Sequence, residues 1–291
     1  MKRLLNRCEE STNSVLQRLT EAWGAHTFAK IRLADVLPIE NSGIDTKSYR
    51  FALQSHFDFV ISDSDFVPLF AVEFDGPTHG DAEQKRRDES KNRLCEQFKF
   101  PLLRINSRYL DGTYRKMNVL SWFVNYWFAQ QAIDEAYKSG HIPPEADVDP
   151  MLMMSLPGSN EGFPLWLSAE VRIAFKKYRD EGLCLDMGPS SYVGLDEDGN
   201  YRAISYIAVT SVSGLMSETG MRSQIFPAPC AELVVAIADH QVFDEFKAYA
   251  EKGFNLVPLD DIAVRVMWFR KSFEMLMSSS CTQARSIREF M

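Results

Sequence analysis

Two short stretches decide how the first half of the chain reads: His56-Phe57-Asp58-Phe59-Val60-Ile61 and Val72-Glu73-Phe74-Asp75-Gly76. In an extended strand, alternation sends Phe57, Phe59 and Ile61 to one face and His56 and Asp58 to the other. The second stretch does the same, with Val72 and Phe74 opposite Glu73 and Asp75. The runs His56–Ser62 and Pro68–Asp75 flank Asp63-Ser64-Asp65, which predicts a β-hairpin. If the two strands pair, Asp58, Glu73 and Asp75 converge on one side of the sheet. Like charges this close are costly without a partner, and a divalent cation is the simplest one. Oxygen-only ligands favour Mg²⁺ or Mn²⁺. The competing reading is a half-exposed sheet whose strand-end acids sit in water.

Working outward, Asp81–Phe98 is charged and holds neither Gly nor Pro, which predicts a helix. Leu94 and Phe98 are its core positions. Stepping back by threes and fours along the same stripe gives Lys91, Arg87 with Asp88, and Gln84. This polar half of the stripe either projects into water or faces the carboxylates, where a lysine serves as a cation for phosphate and for developing charge. Upstream, Asn6–Ala22 reads as a helix, Thr27–Leu37 as an extended run ending at Pro38, and Asn41–Ser48 as loop. Downstream, Pro101–Asn106 is a buried strand and Tyr114–Tyr137 a long helix with Trp122, Phe123, Tyr126, Trp127 and Phe128 as core aromatics.

The composition changes at Ser139–Asn160, where Gly140, Pro143, Pro144, Pro150, Pro157 and Gly158 gather among acidic residues and predict a linker. Within it Met151-Leu152-Met153-Met154 is expected to pack on a neighbouring surface. Beyond lies an α+β segment: a helix at Ser168–Arg179, a β-run at Ala203–Val212, an apolar run at Leu233–Ala238 and a helix at Val242–Ala250. Asp196-Glu197-Asp198-Gly199-Asn200 reads as a hairpin turn, since Tyr201 and Ile207 occupy the places where a calcium loop needs Gly and Glu. The expected division is 1–138, 139–160 and 161–291.

The 291 residues fit roughly two domains, and 45% hydrophobic with 25% charged residues excludes wholesale disorder. A net charge of −8 argues against a protein that coats nucleic acid over its whole surface. A local basic surface is nonetheless expected, since Lys85, Arg86, Arg87, Lys91, Arg93, Lys99, Arg104, Arg108, Arg115 and Lys116 outnumber Asp88, Glu89, Glu96 and Asp111. The longest apolar stretch, Val119–Ile133, is too short and interrupted for a membrane span. The first residues return to charge too soon for a signal peptide. Five scattered cysteines suit a reduced, cytoplasmic protein, with Cys95 a core thiol.

Taken together, Asp58, Glu73-Phe74-Asp75-Gly76, His79, Gln84, Arg87-Asp88, Lys91 and Pro101-Leu102-Leu103-Arg104-Ile105 resemble the PD-(D/E)XK nuclease superfamily. The nearest likeness is to its small bacterial domains related to very-short-patch-repair endonucleases, including one of uncharacterised function with this Glu-x-Asp-Gly core. Ala29-Lys30-Ile31-Arg32-Leu33-Ala34-Asp35-Val36-Leu37 resembles that family's first strand, so the likeness spans Arg7–Arg108. It implies an α/β fold with a restriction-endonuclease-like core, a mixed sheet flanked by helices, joined here to a C-terminal α+β domain. It further implies a metal-dependent nuclease in which Asp58, Glu73 and Asp75 hold Mg²⁺ or Mn²⁺ and Glu10 reaches it through water. The superfamily's usual lysine position, two after the motif acid, is Asp75 here, which nominates Lys91 on the following helix, with Gln84 accessory. His79, Lys85, Arg87 and Arg104 are the implied nucleic-acid contacts, with DNA ahead of RNA, and the C-terminal domain is a place for a protein partner. The alternative is a nuclease-fold module that binds nucleic acid or protein without cleaving.

Overall fold

The computed structural model describes residues 3–76, 82–157, 159–253 and 256–282. The chain forms two units: Met1–Leu165 with Gln224–Ala228, and Trp166–Ser223 with Pro229–Met291. No helix among the described residues is long and apolar enough to cross a membrane.

The first unit runs α1 (Arg7–Ala22), β1 (His26–Arg32), α2 (Thr46–Gln54), β2 (His56–Ser62), β3 (Pro68–Phe74), α3 (Ala82–Gln97), β4 (Leu102–Ile105), α4 (Arg108–Asp111) and α5 (Val119–Lys138). Its four strands lie in the order β1-β2-β3-β4, antiparallel at the first two joins and parallel at the third, so the sheet is mixed and flanked by helices. The β2–β3 hairpin forms as expected, its turn fixed by Asp63, whose carboxylate accepts from the backbone N–H groups of Asp65 and Val67. One face of the sheet carries Val60, Ala71 and Leu102 into a core with Ala52 of α2 and Leu94 and Cys95 of α3. Asp58, Glu73 and Arg104 lie two residues from Val60, Ala71 and Leu102, so the period of two puts them on that face too, at the ends of their strands.

Two local expectations are corrected. The loop read at Asn41–Ser48 gives way at Thr46 to α2, because Asp45 caps the helix by accepting from the backbone N–H groups of Lys47 and Ser48. Phe57 does not share a face with Phe59: it joins the α2/α3 core, its ring 5.8 Å from that of Phe100. The irregularity is local to the start of β2. Backbone pairing with β3 runs only from Phe59–Val72 onward, and the β1 pairing skips Lys30, whose φ of 58° lies in the left-handed region.

The predicted linker at 139–160 belongs to the first unit. The Tyr137 hydroxyl donates to the Ala146 carbonyl, Pro150 and Leu156 are buried, and the Trp122 indole donates to the Leu165 carbonyl. Within Met151–Met154, Leu152 and Met154 are exposed, so the segment is anchored by its flanks and not by that run. The boundary therefore falls at 165/166, and Gln224–Ala228 returns to the first unit. Ile225 pairs with Leu102 beside β4, and the Phe226 ring sits 5.2 Å from Phe70, 5.3 Å from Trp127 and 5.8 Å from Phe123.

The second unit comprises α6 (Ala169–Asp180), β5 (Ser190–Leu195), β6 (Tyr201–Ala208), β7 (Ser213–Met221), α7 (Cys230–Lys252), β8 (Val257–Pro258), α8 (Leu259–Ser272) and β9 (Glu274–Ser279). Its five-stranded sheet, β8-β7-β6-β5-β9, is antiparallel throughout. Alternation along β6 divides the core: Ile204, Tyr206 and Ala208 pack on α8, while Ile207 faces Phe175, Val242 and Phe246 of α6 and α7. The hairpin turn at Asp196–Asn200 is present, joining β5 to β6.

Candidate active site

The site is a cleft of about 580 Å³ in the first unit, at the end of β2 and β3 where their backbone pairing stops. Beyond the last backbone pair the two strands are clasped by side chains. The Asp58 amide donates to Glu73 Oε1 at 3.1 Å, and the Phe74 amide donates to Asp58 Oδ2 at 2.9 Å. Each carboxylate thus replaces a backbone acceptor of the neighbouring strand, which locks both acids in place and leaves their remaining lone pairs for the cleft.

The polar stripe of α3 turns toward these acids. Lys91 Nζ lies 2.6 Å from Glu73 Oε1 and donates to the His56 carbonyl at 2.9 Å. Gln84, Arg87 and Asp88 line the same cleft one and two turns earlier. Burial pushes the Glu73 carboxyl up to about 7, with Lys91 opposing that rise. Lys91 and Glu73 are thus a buried pair in which the carboxylate is poised to give up or take a proton near neutrality.

Two further acids have partners other than those expected. The Asp75 carboxylate pairs with Arg104 Nη1 at 3.0 Å, and Arg104 also reaches Asp88 and Asn92. Arg104 is 3% exposed, so it is a strut beneath the cleft and not a surface contact for nucleic acid. Glu10 pairs with Arg3 on the solvent side of α1. Its neighbour Glu9 lines the cleft instead, since one residue along a helix turns the side chain by about 100°. Lys85 is exposed on α3 and does not line the cleft, while His79 lies outside the described residues.

Sequence reasoning passed over Glu9 and Lys30. Glu9 closes a capping box: its Oε2 accepts from the Asn6 amide while the Asn6 side chain accepts from the Glu9 amide. The signal Asn-x-x-Glu ahead of an apolar run was available. Glu9 Oε1 then accepts from Lys30 Nζ at 2.9 Å, and Lys30 Nζ also meets Asp58 Oδ1 at 2.6 Å. Burial lowers the affinity of that ammonium for its proton, but the bonds to Asp58 and Glu9 outweigh it and leave the pKa raised. Only the pairing of β1 with β2, which sets Lys30 across from Asp58, could have revealed it.

The donors suit a hard divalent cation in kind. Asp58 and Glu73 offer oxygen only, and Mg²⁺ commonly takes one or two carboxylates while water and phosphate oxygens complete its shell. No third His, Cys, Asp or Glu joins them in a ready-made metal cluster among the described residues.

The second unit holds a buried polar group that sequence reasoning also passed over. Asp239 Oδ1 accepts from the hydroxyls of Ser191 and Ser205, both at 2.6 Å, and Oδ2 has no partner among the described residues. Burial raises its pKa.

Comparison with known proteins adds one match. A family described as a protein of unknown function, DUF2726, is similar to residues 1–118, which hold every acid and base of the cleft. No curated protein and no solved structure matches the chain.

Proposed function

We propose that the first unit is a restriction-endonuclease-like, metal-dependent nuclease that hydrolyses phosphodiester bonds, with DNA as the preferred substrate. The observation that carries this reading is the meeting of Asp58, Glu73 and Lys91, from β2, β3 and α3, in one cleft. The element order supports it: a helix, a strand, a second helix, a hairpin antiparallel to that strand, a third helix and a parallel fourth strand.

Asp58 and Glu73 would hold Mg²⁺ or Mn²⁺, whose chemistry is to acidify a water and offset charge on the phosphate. Lys91 stabilises negative charge that grows on the phosphate oxygens and keeps Glu73 ionised when the site is engaged. Gln84, bonded to Asp88 at 3.1 Å, is placed to orient water or phosphate, and Arg87 at the rim meets the backbone of the nucleic acid. The pairing of Lys30 with Asp58 and of Arg104 with Asp75 favours a second reading, a nuclease-fold module that binds nucleic acid or a protein partner without cutting.

The deciding experiment incubates the full chain with Mg²⁺ or Mn²⁺ and plasmid, linear duplex, single-stranded DNA or RNA. Cleavage is expected, lost in Asp58→Asn and Glu73→Gln. In Lys91→Ala turnover should fall by ~10² or more with little change in substrate binding, because its contribution is concentrated in the transition state. Binding without cleavage on all four substrates selects the second reading.

A further inference from the structure

Among the described residues, Lys30, Lys91 and Arg104 meet the cleft's acids, and of these Lys30 is the most exposed. Its side chain is 37% exposed, against 10% for Lys91 and 4% for Arg104. It bridges α1 and β2, with Asp58 Oδ1 on one side and Glu9 Oε1 on the other. It does so from a left-handed backbone, φ 58°, that interrupts the β1 ladder opposite Asp58. A non-glycine residue in that region carries backbone strain, because its Cβ crowds the following carbonyl oxygen. Strain of this kind persists where the surroundings enforce it, and here two ion pairs do so.

We propose that Lys30 is a resident counter-cation: its ammonium holds Asp58 and Glu9 together in the metal-free protein and is expelled when a divalent cation binds. The inference rests on the nuclease reading and adds its regulation, because every metal-binding event becomes an exchange of one internal cation for an external one. Electrostatics favours releasing one of the two ammoniums that sit on the metal-holding carboxylates, and the more exposed Lys30 is the one with a path into water. A divalent ion on Asp58 would share that carboxylate with the Lys30 ammonium, and two cations on one carboxylate repel. Expulsion sends Lys30 into water and releases its backbone strain, which partly offsets the lost ion pairs. Lys91 stays, buried against Glu73 and the His56 carbonyl.

The test titrates Mn²⁺ into the full-length protein and follows the free-ion electron paramagnetic resonance signal, which binding removes; no catalysis is read. Lys30→Asn and Lys30→Gly both tolerate the left-handed backbone and both remove the ammonium. Each is expected to bind Mn²⁺ at least about tenfold more tightly than wild type, while Lys30→Arg, which keeps the charge, does not. Adding Asp58→Asn to Lys30→Asn should abolish the gain. If wild type binds Mn²⁺ and the Asn and Gly variants bind it equally or more weakly, the exchange is wrong and the nuclease reading stands. If none of these proteins binds Mn²⁺, both fall. Variants that fold only with Mn²⁺ present support the proposal, and variants that fold under neither condition overturn it by making Lys30 purely structural.

Discussion

Glu73 answers two opposing demands, burial that favours its neutral form and Lys91 that favours its charge, and burial prevails, pushing its carboxyl up to about 7. Because the folded value lies above the ordinary 4.5, the native state holds this proton more tightly than the unfolded chain does. The resulting stability is full below about pH 4.5 and is lost as pH rises through about 7. Asp239, raised by burial, tilts stability the same way, so the informative quantity is a difference between proteins. Glu73→Gln, fixed in the neutral form, is expected to flatten the fall in Tm between pH 4.5 and 7 relative to wild type in metal-free buffer. Parallel Tm curves for the two proteins would assign the slope to other groups. Asp58 and Glu73 could be placed from sequence because each breaks the apolar alternation of its strand, and Lys91 and Gln84 because they continue, three and four residues at a time, the stripe that starts at Leu94 and Phe98. Asp75 and Arg104 could not, since only the parallel register that sets Glu73 beside Arg104 brings that arginine under the cleft.

At the level of elements, the hairpin, α1, α3, β4 and α5 were legible because their patterns are local: alternation for strands, threes and fours for helices. Elements whose signal is tertiary were not. α7 read as an apolar run and a separate short helix, because Asp239 and His240 interrupt its hydrophobic pattern. Both are buried, Asp239 against two serines and His240 with its Nε2 2.8 Å from the Leu167 carbonyl, so one helix of 23 residues continues through them. The segment Gln224–Ala228 gave no sequence signal at all, being five residues with a proline among them, between the end of β7 and Pro229. Yet Gln224 binds both backbone groups of Arg104, and Phe226, 4% exposed, fills a socket of three aromatic rings. Phe226→Ala is expected to cost about 3–5 kcal/mol, the usual loss for an emptied aromatic site, read as a lower urea midpoint for the first unit. A loss under about 1 kcal/mol would mean that the socket collapses or that the segment is only loosely docked.

For the molecule as a whole, the division into two units does not follow a single cut in the chain. A fragment of residues 1–165 retains every acid and base of the cleft but lacks Ile225 and Phe226, so β4 keeps an unpaired edge and the aromatic socket stays empty. We expect that fragment to aggregate or to melt well below the full chain. Adding a peptide that spans 224–228 in trans should recover part of the loss, measured by light scattering and thermal unfolding. A fragment as stable as the full chain would show that the returning segment adds nothing to the first unit.

That returning segment also sets a schedule. Gln224 follows its partner Arg104 by 120 residues, and synthesis at ~5–20 residues per second makes that gap on the order of ten seconds. Throughout this interval the nascent cleft can form its sheet but not close its last edge. The ribosome therefore delivers the cleft before the piece that finishes its unit, and the interval is the stretch of the protein's life in which it most needs shelter from other chains.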